Sequence, residues 1–272
     1  MGVEPSIDGT TIRLASFIGV LLIVACLEAF FPRRRSSAAR FKRWPHNLGI
    51  SIASQVLVRA LVPITAVAFA LETSVRGWGL LNVVSLNPLA EILIAILLLD
   101  FSIYWQHRVF HLINPLWRLH RMHHADLFFD VTTGIRFHPF SILISVFIKL
   151  MVLVLVGAPV VAVLIFEILL NATSLFNHSN FNVPASIDKY LRLIVVTPDM
   201  HRIHHSIDET EMNRNFGFNF PWWDRLFGTY LAMPRKGHQE MAIGLPEFRA
   251  PSEQKLWKML TQPFRNPSDH EA

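Results

Sequence analysis

The chain has a single cysteine, Cys26, among 272 residues. A disulfide within the chain is therefore excluded, and so is a zinc or iron–sulfur site built on several thiolates. Charge is also scarce. Asp, Glu, Lys and Arg make up 17% of residues against 52% hydrophobic, and the mean hydropathy is +0.37. That balance is too apolar for an ordinary soluble domain of this length. Internal repeats, low-complexity linkers and flavin, nicotinamide or haem fingerprints are all missing. The net charge of +5 and a pI near 9.7 would suit nucleic acid. The basic residues, however, flank apolar stretches and alternate with tryptophans, as expected for orientation in a bilayer and contact with anionic headgroups. Nucleic acid is not an expected partner.

What the chain does have is apolar runs. Thr11 to Phe31, Leu48 to Leu71 (broken by Arg59 and Pro63), Leu89 to Trp105, Pro139 to Val156 and Pro159 to Phe176 are each close to the roughly 20 residues that cross a hydrocarbon core. The last two are joined by a tight Gly157-Ala158-Pro159 turn. Thr11 to Phe31 lacks the basic start and small-residue cleavage site of a signal peptide, so it reads as a retained helix. Arg33, Arg34, Arg35, Arg40, Lys42 and Arg43 follow it and place that loop in the cytoplasm. Alternation from there brings the C-terminal part to the same side. Lys149 and Glu167 lie equally far from Ala158 on neighbouring helices, so pairing would lower the cost of either charge in the membrane. The expected fold is an all-α integral membrane protein of about four to five transmembrane helices with a cytoplasmic helical cap.

The chain also has 13 histidines. Most fall into short clusters: His107 with His111, His120 with His123 and His124, His178 alone, and His201 with His204 and His205. Residues three and four apart share a helix face, so each cluster can point its imidazoles at one spot. Imidazole without thiolate suits iron, zinc, copper or nickel. The count is too high for one ion. A zinc protease would need a general base beside its histidines, as in HExxH, and none of these clusters carries one. A facial triad of two histidines and a carboxylate would leave most of them idle. Two irons bound by neutral ligands, with room left for dioxygen, use them economically.

The runs Asp100-Phe-Ser-Ile-Tyr104-Trp105-Gln-His107-Arg108-Val-Phe-His111 and Leu116-Trp117-Arg-Leu-His120-Arg-Met-His123-His124 resemble the fatty acid hydroxylase and sterol desaturase superfamily. So do Arg136-Phe-His138-Pro139, Asn177-His178-Ser-Asn180, His201-Arg-Ile-His204-His205, Asn215-Phe-Gly217 and Trp223-Asp224-Arg-Leu-Phe227-Gly228-Thr229. The resemblance runs in order from about Asp100 to Tyr230. It divides the chain into N-terminal transmembrane helices over 1–99, a catalytic region over 100–230 and a cytoplasmic tail over 231–272, with Arg265 to Ala272 frayed. It implies a membrane di-iron enzyme that uses dioxygen and two electrons to hydroxylate or desaturate a lipid. The implied metal ligands are His107, His111, His120, His123, His124, His178, His201, His204 and His205. Some members carry a second histidine four residues before the isolated one, where this chain has Ser174, and His138 is the candidate replacement. Asp100 is the candidate for a hydrogen-bonding role beside the metal ligands, with Asp199 and Asp224 weaker because either could pair with arginine. His46, His238 and His270 lie outside every motif and read as surface residues.

The expected substrate is a membrane lipid: a fatty acyl chain, a sterol-like or hopanoid-like ring, a carotenoid or an alkyl ether. Electrons are expected from a small acidic protein such as a ferredoxin, rubredoxin or cytochrome b5-like donor with its reductase, drawn by the basic surface. A bacterial inner membrane with the site facing the cytoplasm fits the basic loops. Two other classes compete: a His-rich membrane protein that binds or transports metal, and a zinc-dependent lipid hydrolase. Transport would place the ligands near the bilayer midplane, whereas these clusters lie beyond the spans.

Overall fold

The computed structural model describes residues 9–35 and 39–266. These residues are helical, with no strand and two isolated bridges among them. The long elements are α1 (Gly9–Phe30), α2 (Ala39–Leu61), α3 (Ala66–Val75), α4 (Pro88–Leu112), α5 (Asn114–His124), α6 (Pro139–Val156) and α7 (Val160–Asn177). Short helices follow: α8 (Ala185–Leu191), α9 (Pro198–His204), α10 (Glu209–Met212), α11 (Trp222–Leu226), α12 (Gly237–Glu240) and α13 (Leu256–Thr261).

Five segments are long and apolar enough to span a membrane: α1, α2 with α3, α4, α6 and α7. They coincide with the five runs read from the sequence, with the largest shifts of boundary in the second and third. The second begins at Arg40 rather than Leu48, which puts Arg43 and Asn47 on a helix instead of in a loop. The break at Pro63 is real, because proline donates no backbone hydrogen bond. The chain restarts as α3 with the Thr65 side chain accepting the Ala68 N–H at 3.1 Å. The third span continues past Trp105, so α4 itself carries His107 and His111.

The outer surface of these helices exposes Leu22, Ile23, Ile52, Val56, Met151 and Leu155. An apolar band of that extent is foreign to a soluble monomer and suits contact with lipid tails. Inside, Ala70, Ala95, Ala158 and Ala162 are fully buried among Leu99, Leu153 and Phe166. Small residues let helix backbones approach closely, the packing that holds membrane bundles together. At the end of the bundle away from the histidines, Gly157 closes α6 with φ at +68°. A Cβ on Gly79 would sit 2.2 Å from the Gly157 nitrogen, so the α3–α4 connection can rest on the α6–α7 turn only through glycine.

The other end carries the cap, tied to the spans by buried charge. Arg43 reaches Asp126 at 2.8 Å and Asp130 at 2.9 Å. Glu28 of α1 accepts the backbone N–H of Val131 at 2.7 Å and of Asn180 at 2.6 Å. The segment expected to be a tail folds back over this cap. Gln254 accepts from Arg136 at 2.7 Å, and Gln262 offers its carbonyl to Arg121 at 2.8 Å. Arg265, expected to fray, pairs with Glu253 at 3.0 Å. Residues 267–272, His270 among them, lie outside the described residues.

Candidate metal centre

Four elements converge at the cap. His107 and His111 lie one turn apart at the end of α4. The chain turns at Ile113, and Pro115 lies in the first turn of α5, where its missing N–H costs nothing, bringing His120, His123 and His124 back toward α4. His178 follows the last residue of α7. Pro198 opens α9, which supplies His201 and His204, and His205 follows directly.

The nine imidazoles form two groups. His107, His111, His120, His124 and His204 make one, and His123, His178, His201 and His205 the other; within each, one nitrogen per ring lies within 4.8 Å of all the rest. The groups adjoin, with the His124 and His205 rings stacked at 4.5 Å.

The hydrogen bonding shows what these nitrogens face. Nδ1 of His107 donates to the Phe216 carbonyl at 2.9 Å, and Nδ1 of His204 to the Arg214 carbonyl at 2.9 Å. His123 and His178 do the same to the carbonyls of Arg136 at 3.2 Å and Ser174 at 2.8 Å. A neutral imidazole has one N–H, so in all four rings Nε2 is a bare lone pair. Yet His107 and His204 bring these lone pairs to 2.9 Å of each other, and His123 and His178 to 3.1 Å. Protonation does not relieve the clash. Burial lowers the pKa of His120, His123, His124, His201, His204 and His205 well below the ordinary value, and that of His178 to about 3. A cation shared by the lone pairs does relieve it. Two nitrogens each about 2.1 Å from one ion and at right angles lie about 3 Å apart, matching the observed separations. Nε2 of His111, His124 and His205 are buried with no partner. The donor set fits two metal ions, one held by five imidazoles and one by four.

The tenth expected ligand is elsewhere. His138 caps α6: its Nδ1 accepts the Phe140 N–H at 3.3 Å, and its Nε2 donates to the Leu260 carbonyl at 3.2 Å. With both nitrogens engaged and neither group including it, His138 anchors α13 rather than filling the place left by Ser174. His138→Ala is expected to leave metal content unchanged and to lower stability by about 1 kcal/mol. Metal analysis and thermal unfolding of the purified variant check this, and loss of one ion would return His138 to the ligand set.

Asp100 touches no imidazole. It accepts from Trp223 Nε1 at 2.8 Å and from the backbone of Asn219 and Phe220, each at 3.3 Å. Asp224, a weaker candidate for a hydrogen-bonding role beside the ligands, accepts the N–H groups of Phe216 at 2.8 Å and Gly217 at 2.7 Å. The two carboxylates thus hold the loop whose Phe216 carbonyl orients His107. Asp199 does pair with arginine, binding Arg33 at 3.0 Å as well as Arg202. His238 is buried rather than exposed, 3.6 Å from Asp199. Burial pushes it down to about 4.

The orienting carbonyls are the part of the site that sequence reasoning missed, since a backbone carbonyl has no residue signature. Gly134 was the available signal. A Cβ there would lie 2.5 Å from the Ser174 carbonyl oxygen, the group that orients His178. Gly134→Ala is therefore expected to lower metal affinity or activity by about 10–100-fold, the usual cost of disturbing such an orienting bond. Titration of metal into the variant checks this, and wild-type affinity would refute it.

A cavity of about 460 Å³ opens onto the site, with His107, His120 and His123 at one end and Thr10, Arg13 and Asn171 also in its wall. Phe110, Phe137 and Phe218 line it near the histidines.

Five membrane-spanning helices with two adjoining imidazole groups at one end define a membrane-bound histidine-cluster protein. The chain belongs to the fatty acid hydroxylase family, whose model matches residues 92–229, more than half of its length. Ornithine lipid hydroxylase OlsE of Rhizobium tropici is 28% identical over 238 residues, covering 84% of this chain and 69% of that protein. Human alkylglycerol monooxygenase is 29% identical over 146 residues, 52% of this chain and 31% of its own length. Methylsterol monooxygenase 2-2 of Arabidopsis thaliana is 27% identical over 140 residues, 52% of each chain. No solved structure matches. These relatives are lipid-modifying enzymes, and membership places this chain among the enzymes of that family.

Proposed function

We propose that the two imidazole groups hold two iron ions, and that the protein uses dioxygen and electrons from a separate donor to hydroxylate a membrane lipid. The observation that carries this reading is the convergence of bare Nε2 lone pairs at 2.9–3.1 Å in both groups. Bound iron would supply the reduction of dioxygen and the removal of hydrogen from an unactivated carbon, chemistry no side chain provides. The protein's own part is positioning. The backbone carbonyls fix the ring orientations, and the phenylalanine collar keeps water from the inner end of the cavity while admitting an alkyl chain. Desaturation follows from the same arrangement if a second hydrogen is lost instead of a hydroxyl being gained.

The test is lipid profiling of cells with and without the protein under isotopically labelled dioxygen. A lipid gaining one labelled oxygen supports the proposal, whereas an unlabelled hydrolysis product would replace it with metal-dependent hydrolysis. A small acidic redox protein is the proposed donor, approaching a cap rich in arginine. The proposed membrane is a bacterial inner membrane with the cap in the cytoplasm, on the side of Arg33, Arg34 and Arg35. A C-terminal reporter is then expected in the cytoplasm and one inserted between Glu72 and Leu81 on the opposite side. The reverse pattern would refute this orientation.

A further inference from the structure

The far end of the cavity holds a charge cluster that the histidine centre does not use. Glu167 of α7 pairs with Lys149 of α6 at 2.7 Å, as expected from their equal depth, and also with Arg13 of α1 at 2.9 Å. Lys149 alone would neutralise Glu167. Among the described residues, two cations on one carboxylate leave a positive charge in excess within the spans, where charge is expensive and marks function. Of the three residues, only Arg13 lines the cavity, and its Nε is buried with no hydrogen-bond partner. Glu167 precedes His178 by eleven residues, which on a helix is a rise of about 16 Å. Glu167 holds Arg13 and His178 meets His123, so Arg13 and the histidines stand at two separated ends of the cavity, with Phe17, Ile103 and Leu170 in its apolar wall. Its volume of about 460 Å³ is at the small end for ligand sites, with room for one alkyl chain.

We propose that Arg13 forms a subsite for the anionic group, carboxylate or phosphate, of a lipid that lays one alkyl chain along this cavity with its tail toward His107, His120 and His123. The anion would supply the counter-charge that the described residues leave out. The site of oxygenation would then fall on the chain, remote from the charged group. Only this last consequence rests on the proposed function; binding at Arg13 does not.

The experiment is displacement of a fluorescent alkyl probe from the full chain in an uncharged detergent, with and without iron, by palmitate, hexadecyl phosphate and hexadecanol. The expected result is that at least one anion binds about tenfold or more tighter than the alcohol, the scale of a charge-assisted hydrogen bond. Palmitate alone would identify a carboxylate ligand, and hexadecyl phosphate alone a phosphate. Arg13→Gln should bring anion and alcohol to parity with hexadecanol binding unchanged, while Arg13→Lys keeps the preference. Equal binding of all three to the wild type, or a preference that survives Arg13→Gln, overturns the proposal. If Arg13→Gln fails to bind even hexadecanol, Arg13→Lys decides, and loss of the preference there also overturns it. A protein that prefers anions yet incorporates no oxygen would retain the subsite and refute the oxygenase reading; oxygenation without the preference would do the reverse.

Discussion

His204→Ala is expected to abolish metal binding in the five-histidine group and reduce turnover to background, while the protein still inserts in the membrane. His204 Nε2 lies 2.9 Å from that of His107, and its ring packs against those of His111 and His124 at 4.7 Å. Its removal opens the middle of the group. His123→Ala should do the same to the four-histidine group, where Nε2 meets that of His178 at 3.1 Å. The spans are held by packing remote from these rings, so membrane insertion should survive. Metal per protein and turnover are the measurements. Near wild-type values in either variant would refute the two-ion assignment.

The second large effect is on stability. Arg43 is 4% exposed and forks across Asp126, with Nε at 2.9 Å and Nη2 at 2.8 Å, while Nη1 holds Asp130 at 2.9 Å. Arg43→Ala would leave two carboxylates at the base of the cap without their main counter-charge, and stripping one partner from a buried pair costs about 3–5 kcal/mol. Arg43→Lys should recover little, because an ammonium cannot reproduce the fork. Burial pushes Asp126 up, but Arg43 and Arg136 outweigh it and hold the carboxyl below its ordinary value of 3.8. The stability from this group is therefore present above that value and lost as pH falls through the lowered one. Thermal unfolding in detergent measures both effects, and an unchanged midpoint for Arg43→Ala would show that the pair does not brace the cap.

The spans and the histidine clusters were legible because each is local. A run of apolar residues reports its own length against a bilayer, and histidines three or four apart share a helix face whatever surrounds them. Nine of the ten proposed ligands therefore come together where the motifs put them, and Lys149 meets Glu167 because a hairpin fixes their relative depth. His138 fails the same reasoning because its position before Pro139 suits a helix cap as well as a ligand, and only the placement of Leu260 decides between them.

What only the tertiary structure decided are contacts across long sequence separations. The sorting of nine imidazoles into groups of five and four divides neighbours, sending His123 one way and His124 the other, which no spacing rule anticipates. Arg43 reads as a loop charge that orients the chain, yet it binds acids more than eighty residues away. Asp100 and Asp224 act on the loop that carries the Phe216 carbonyl rather than on a ring, and Arg13 joins a pair complete without it. In each case the deciding quantity is which donors, acceptors and charges lose water together. Burial is a property of the packed bundle, so the sequence alone determined the membrane helices and the ligand chemistry, and packing determined which groups share a site.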